Sequence, residues 1–194
     1  MTIERRRRTP RPDPIRGRAA RRILVAGASG AGKSTMALAL SERLSLPYTE
    51  LDSLYHGPSW TPRETFVADV AEITAADAWV SEWQYRSVRP LLLERAELIV
   101  CLDYSRVLVM SRVLRRTVRR RLRREELWNG NREPALHTFF TDPDHIVRWS
   151  WSTFGRNRRT LRELDHTPPV GLQVVRLRSP RAARRWLDSL SPTS

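Results

Sequence analysis

The residues with the clearest chemical purpose lie between positions 27 and 35, where the chain reads Gly-Ala-Ser-Gly-Ala-Gly-Lys-Ser-Thr. This matches the pattern of a glycine, any four residues, and then Gly-Lys-Ser/Thr. Glycines let the backbone wrap around a phosphate chain, so that consecutive amide hydrogens point at the anion. The lysine can neutralise the outer phosphates, and the hydroxyl that follows it can ligate Mg²⁺. The pattern therefore predicts a binding site for a nucleoside triphosphate.

This phosphate loop also carries the first predicted catalytic group. Lys33 is the only lysine among the 35 basic residues of the chain, and it stands at the position that meets the outer phosphates. Ser34 is the predicted metal ligand. The predicted nucleotide-binding residues are Gly27, Ser29, Gly30, Ala31, Gly32, Lys33, Ser34 and Thr35.

The elements that must position this loop alternate along the chain. Apolar runs of strand length cover 22–26, 48–51, 79–82, 98–102 and 172–177. Helical spacing covers 33–44, 62–76, 105–128, 145–164 and 180–190, with Thr61 and Ser179 as predicted N-caps. Alternation of this kind predicts the α/β class, with a parallel sheet covered by helices on both faces. The apolar residues that define the long helix over 105–128 are Val107, Met110, Leu114, Val118 and Leu122.

In order and spacing these segments resemble the small P-loop kinases grouped around adenylate kinase and shikimate kinase. Within that group the chain is similar to the adenylate-kinase-like, topology-modulation-like proteins. The resemblance covers about residues 22–190 and is carried by the phosphate loop and by 51–55, 58–60, 79–85, 102–116 and 126–133. It implies a three-layer P-loop fold with a five-stranded parallel sheet. It also implies transfer of a phosphoryl group from ATP, with Mg²⁺, to a small-molecule or nucleotide acceptor.

One segment departs from the relatives. Many of them carry Asp-Gly-Asn-Tyr after the third strand, whereas this chain reads Glu82-Trp83-Gln84-Tyr85. The carboxylate is kept with one more methylene, and a bulky tryptophan replaces the flexible glycine. We expect this change to reshape the acceptor pocket.

Three acids follow predicted strands, at the edge where ligands sit in open α/β sheets. Asp52 is the predicted acceptor-orienting group or general base; its alternative is an N-cap for the following turn. Glu82 is the first candidate for the carboxylate that serves Mg²⁺. Asp103 could serve the metal instead, although in the relatives this position more often braces the lid helix.

The resemblance also implies an arginine-bearing lid over about 105–145. Arg112, Arg116, Arg119 and Arg123 recur at steps of three and four residues, which places them on one side of the predicted helix. Because the guanidinium group matches phosphate geometry, Arg112 and Arg116 are predicted to clamp the transferring phosphate. The alternative is a solvated basic face.

The overall composition constrains partners less sharply. The net charge is +14 with 34 arginines, and residues 1–21 are predicted to be a disordered basic arm before a kinase domain over 22–194. The charge leaves open a nucleic-acid-associated P-loop ATPase, or a nucleotide-dependent regulator, as the alternative function. The single cysteine excludes a disulfide framework, and no apolar run is long enough to cross a membrane. We expect a cytoplasmic monomer or weak oligomer.

Overall fold

The computed structural model describes residues 20–123, 126, 128–130 and 146–190. Within them five strands form one sheet in the order β2-β3-β1-β4-β5. All neighbouring strands run parallel, as the predicted α/β class requires. The strands are β1 (Arg22–Gly27), β2 (Tyr48–Thr49), β3 (Trp79–Glu82), β4 (Leu98–Leu102) and β5 (Gln173–Leu177).

Helices cover both faces of this sheet, which gives the predicted three layers. They are α1 (Lys33–Leu44), α2 (Leu51–Tyr55), α3 (Phe66–Ala75), α4 (Arg89–Arg95), α5 (Arg106–Arg123), α6 (Ile146–His166) and α7 (Pro180–Asp188). Helix α7 begins at the predicted cap, where the Ser179 hydroxyl accepts the Ala182 N–H at 3.2 Å. Among the described residues, no helix is long and apolar enough to cross a membrane.

The two faces of the sheet bury two separate cores, because side chains along each strand alternate between them. Ile23 and Val25 of β1 pack with α1 and α7. Leu24 and Ala26 pack with α3, α4 and the second half of α6. The outer strands follow the same alternation, so each functional residue that follows a strand can be assigned to one face.

Two boundaries differ from the sequence-based prediction around the second strand. Strand β2 ends at Thr49, and α2 begins at Leu51. The helix predicted over 62–76 begins at Phe66, and the predicted cap Thr61 lies outside it. The reason is local pairing: Pro62 forms an antiparallel bridge with His56, and the next N–H, of Arg63, donates to the Tyr55 carbonyl at 2.9 Å. A chain held in a bridge cannot also begin a helix.

The long helix was predicted correctly, but not its end or its buried side. Helix α5 ends at Arg123 among the described residues, and Trp128–Gly130 forms a 3₁₀ turn with Asn129 at φ 54°. The buried side chains are Val109, Met110, Val113 and Thr117. Val107 is 81% exposed and Leu122 75%, and Leu114 and Val118 are also exposed. Packing against the phosphate loop and α6 selects the Val109–Val113 side, and helical spacing alone does not reveal that choice.

Candidate active site

The phosphate loop connects β1 to α1 through two glycines in the left-handed region. Gly30 has φ 83° and Gly32 has φ 94°, a backbone that strains any residue with a side chain. A Cβ at Gly30 would lie 2.5 Å from Cγ2 of Val113 and 2.8 Å from the Val109 carbonyl oxygen. Gly30 is therefore required both by the turn and by the close approach of α5. The loop and α5 form one surface.

Lys33 and Ser34, at the start of α1, face Glu82 at the end of β3. Val25 is in register with Glu82, so the strand pairing brings the carboxylate beside the loop that follows β1. Glu82 is 1% exposed. Burial raises the pKa of its carboxyl group, whereas the charge of Lys33 and a hydrogen bond from Ser34 lower it. The structure thus brings together three of the predicted site residues.

Asp52 lies in the first turn of α2, and one of its oxygens is held by the segment after β3. Oδ1 accepts hydrogen bonds from Gln84 Nε2 at 2.7 Å and from the Tyr85 hydroxyl at 2.5 Å. Oδ2 accepts none from the described residues. The carboxylate does not cap α2, whose N-cap is Glu50 without a side-chain hydrogen bond. One oxygen is therefore anchored, and the other accepts no hydrogen bond within the described residues.

An aromatic cluster surrounds this aspartate. Tyr55 stacks on Tyr85 with ring centroids 4.1 Å apart, and His56 stacks on Trp128 at 5.8 Å. His56 Nε2 lies 3.2 Å from the Tyr85 hydroxyl, and burial lowers the pKa of His56. Since the tyrosine donates its one proton to Asp52, a neutral His56 protonated at Nε2 would donate to the tyrosine oxygen. The chain His56–Tyr85–Asp52 would then fix the direction of the aspartate.

The turn after α5 closes over the same cluster. Trp128 Nε1 donates to Glu50 Oε2 at 2.9 Å, and the Asn129 side-chain amide donates to the His56 carbonyl. Trp60 meets both His56 and Trp128 edge to face. The part of the lid that the structure describes thus contacts the predicted acceptor side directly. Residues 124, 125, 127 and 131–145 of the predicted lid lie outside the described residues.

The two predicted lid arginines reach the phosphate loop. Arg112 Nη1 donates to the Ala31 carbonyl at 3.1 Å, and Arg116 Nη2 lies 3.4 Å from Ser29 Oγ. Arg119 and Arg123, further along α5, are exposed. The structure therefore separates the basic row into a pair that contacts the phosphate loop and a pair that is more exposed.

Asp103, the alternative metal carboxylate, is occupied by arginines. Arg158 of α6 pairs with Oδ1 at 2.8 Å, and Arg176 of β5 pairs with Oδ2 at 2.6 Å. The Asp103 side chain is 1% exposed. These contacts join β4, β5 and α6 rather than the lid helix α5, and of the two candidate carboxylates only Glu82 lies beside Lys33 and Ser34.

The residues at the loop suit Mg²⁺. This ion prefers hard oxygen ligands and is usually held by one or two protein oxygens together with waters and substrate phosphates. The Ser34 hydroxyl and the Glu82 carboxylate supply oxygens of this kind. Among the described residues, no three His, Cys, Asp or Glu side chains converge into a protein-only metal site.

A further group of positive charge lies beside Trp83. The guanidinium carbon of Arg89 sits 4.5 Å from the centre of the Trp83 ring. Burial lowers the pKa of Arg89, and the charges of Arg86 and Arg156 lower it further. Three arginines are therefore near enough to repel one another next to the segment that departs from the relatives.

The sequence analysis missed the groups that orient Asp52. Gln84 and Tyr85 were quoted for the resemblance without a role, and His56 was given no role. A prediction of the strand order would have identified these groups. Because β2 and β3 are neighbours, the residues that follow each strand must meet at one edge.

Comparison with known proteins gives a likeness of fold. The structure resembles a shikimate kinase from Acinetobacter baumannii in complex with shikimate (17% identity, 87% of this chain and 89% of that chain, TM-score 0.53). It also resembles a shikimate kinase from Bacteroides thetaiotaomicron (14% identity, 88% and 96%, TM-score 0.51). A gluconokinase from Sinorhizobium meliloti shows 23% identity over 87% and 92% of the chains, with a TM-score of 0.49. No family model and no curated protein matches. The chain has the fold of the P-loop small-molecule kinases.

Proposed function

We propose that this protein transfers the terminal phosphoryl group of ATP to a small acceptor bound beside Asp52. The observation that carries the proposal is the meeting of Lys33, Ser34 and Glu82 at the phosphate loop. Phosphoryl transfer needs positioning and charge neutralisation more than covalent help from the protein. The two arginines on the loop, Arg112 and Arg116, add positive charge at the same place.

The residues divide the work by position. Lys33 and the loop amides hold the phosphates, with Arg112 and Arg116 closing over them. The acceptor oxygen attacks the terminal phosphorus of ATP, the bond from that phosphorus to the bridging oxygen breaks, and ADP leaves with its electron pair. Where the acceptor is a hydroxyl group, its proton passes to the free Oδ2 of Asp52. Gln84 and Tyr85 hold the aspartate in place through Oδ1.

The metal site belongs to this proposal. Ser34 would contact Mg²⁺ directly and Glu82 would hold it through water, in keeping with the reluctance of this ion to lose its hydration shell. When bound, the ion neutralises charge on the phosphate oxygens. The Lys33 ammonium remains the protein's own cation for the outer phosphates.

The most informative experiment is a screen of metabolites for ATP-dependent phosphorylation, read by the mass of the acceptor. Phosphorylated and carboxylated compounds belong in the screen because Arg86, Arg89 and Arg156 cluster beside Trp83. Release of ADP with a modified acceptor supports the proposal. ADP released without any modified acceptor, and only when nucleic acid is added, would favour the ATPase alternative.

An aspartate variant tests the acceptor side once a substrate is found. Asp52→Asn should lower kcat on the order of 10²-fold, because a positioned general base typically contributes 10²–10⁴. Asp77→Asn is the matched control, since Asp77 is an exposed aspartate outside the site. Equal kcat in the two variants would remove Asp52 from the mechanism.

A further inference from the structure

A cavity lined mostly by arginines lies beside the edge strand β5, and no residue of the phosphate loop is among those that line it. Its volume is about 470 Å³, and it opens between the start of α5, the second half of α6 and the ends of β4 and β5. Five arginines and a histidine line it, with Asp103 and Ser105. A second cavity of about 480 Å³ shares Arg106, Arg158 and Arg162 with the first.

Strand alternation separates this cavity from the nucleotide site. Val175 and Leu177 of β5 pack with the core that contains α1. Val174 packs with the opposite core, and Arg176 shares its face because side chains alternate along a strand. Cys101 places Asp103 on that same face. Arg176 and Asp103 therefore lie on the face of the sheet that α1 does not cover, whereas Phe154, which lines the second cavity, packs with the core that contains α1.

The residues that line the cavity carry a net positive charge. Asp103 is taken up by Arg158 and Arg176, and Arg176 also pairs with Asp165 at 2.9 Å. Among the residues that the structure describes, the guanidinium groups of Arg162 and Arg178 have no acidic partner. Two acids stand against five arginines, so three positive charges remain in a single cavity.

Arg106, which both cavities share, stacks on two aromatic rings. Its guanidinium carbon lies 4.1 Å from the Trp151 ring centre and 5.3 Å from that of Phe154. Its Nη2 donates to the Trp151 carbonyl at 2.8 Å, while its buried Nε has no hydrogen-bond partner in the described part of the chain. The aromatic rings and the Trp151 carbonyl fix the plane of the Arg106 guanidinium at the wall that the two cavities share.

We propose that this cavity binds an anion with two or more phosphate groups, at a site separate from the phosphate loop and independent of the proposed catalysis. Like charges held together repel, and a polyanion reverses the sign of that energy. The guanidinium fork matches phosphate oxygens in pairs. The two cavities share Arg106, Arg158 and Arg162 as a common wall. Arginines spread over both cavities suit several linked phosphates better than a single phosphate. Since Trp151 and Phe154 already stack on Arg106, recognition rests on the phosphates.

The test measures the binding of tripolyphosphate to the full chain by titration calorimetry. All variants carry Lys33→Ala, which weakens binding at the phosphate loop. We expect one equivalent to bind, and orthophosphate to bind at least about tenfold more weakly. Adding Arg162→Gln and Arg178→Gln should weaken tripolyphosphate binding at least about tenfold, the effect of losing charge-assisted hydrogen bonds.

The matched control is Arg184→Gln with Arg185→Gln, which removes the same charge from exposed positions on α7. It should change the Kd less than about twofold. The proposal is overturned by equal losses in the two double variants, by binding that disappears with Lys33→Ala alone, or by no binding at all. A short DNA duplex that binds more tightly than tripolyphosphate, and depends on Arg162 and Arg178, would also overturn it in favour of a nucleic-acid surface. Thermal melting confirms that each variant is folded.

Discussion

Glu82 and Asp103 occupy matching places on either side of β1, yet their surroundings are opposite. Glu82 is the last residue of β3 and Asp103 directly follows β4; both strands pair with β1, and both carboxylates are buried. Glu82 faces the lysine and serine of the phosphate loop. Asp103 faces two arginines from α6 and β5. Residue type and position on the strand are therefore not enough to assign the role of an acid.

The counter-charge decides the role in this pair. The lysine ammonium is a point charge on a flexible stem, and it can turn from a carboxylate to a phosphate when ATP binds. Two arginines bond both oxygens of the buried Asp103 and occupy three of its roughly four acceptor sites, so its charge is already paired. We therefore propose that the β3 side of the loop serves the reaction, whereas the contacts on the β4 side hold the sheet and α6 together.

The largest effect expected is on the β3 side. Lys33→Ala should lower turnover on the order of 10²–10³-fold, because it removes the cation that stabilises the outer phosphates during transfer. The measurement is ADP release by the purified protein with its acceptor. Arg184→Ala, which removes an exposed positive charge on α7, is the control and should turn over normally. ADP release at the wild-type rate in Lys33→Ala would contradict phosphoryl transfer at this loop.

The next largest effect distinguishes the role of Asp103 from that of Glu82. Asp103→Asn should lower the free energy of unfolding by about 3 kcal/mol, since breaking a buried ion pair leaves arginine charge without its partner. Turnover of the folded variant should stay near that of the wild type. Urea unfolding gives the first quantity, and kcat at a temperature below the transition gives the second.

The contrary result is equally clear. If Asp103→Asn keeps its stability and loses turnover, the aspartate serves the metal and its arginines are secondary. Arg176→Gln is the companion variant, because it breaks the same pair from the other side without touching a carboxylate. A structural brace predicts a loss of stability in both variants.

The phosphate loop was the most predictable part of the site. Its motif fixes both the turn and the following helix, so Gly32, Lys33 and Ser34 could be placed from sequence alone. The five parallel strands followed from short apolar runs between helical patterns. The fold was therefore predicted correctly at the level of class and layers.

The parts that could not be predicted depend on contacts between distant segments. Helix α4 was missed: it spans only Arg89–Arg95 and is too short for a periodic signal. The buried side of α5 depends on the fit of Val113 against Gly30. The partners of Asp103 lie on β5 and α6, more than fifty positions away in sequence. No local pattern encodes such pairings.

A smaller effect is expected for Arg112 and Arg116, the arginines of α5 that contact the phosphate loop. Arg112→Ala and Arg116→Ala should each lower kcat about tenfold and raise KM less, because contacts that strengthen in the transition state act on kcat. Arg115→Ala is the control on the same helix, since Arg115 is exposed. Steady-state kinetics with ATP and the acceptor provide the comparison. Variants that melt early but turn over normally would show that Arg112 and Arg116 are part of the scaffold.

The smallest effect concerns the free energy required to keep the buried Glu82 carboxylate charged. Burial raises the pKa of Glu82 above the ordinary value of 4.5. The folded protein therefore holds the proton of the Glu82 carboxyl group more tightly than the unfolded chain does. This contribution to stability is present below pH 4.5 and is lost as the pH rises through the folded pKa. Glu82→Gln should remove this loss, so that the free energy of unfolding changes less with pH. Urea unfolding measured across this range, without nucleotide, tests the expectation.

Lys33→Ala sharpens the same measurement, because the lysine charge lowers the pKa of Glu82 and so opposes the effect of burial. Without it the wild-type decline in stability should extend to higher pH, whereas Glu72→Gln, at an exposed glutamate of α3, should leave the curve unchanged. Parallel curves for the wild type and Glu82→Gln would mean that Glu82 ionises as easily in the folded protein as in the unfolded chain. In that case the contrast with Asp103 would rest on ion pairing alone, and the readiness of Glu82 to serve a metal would need another cause.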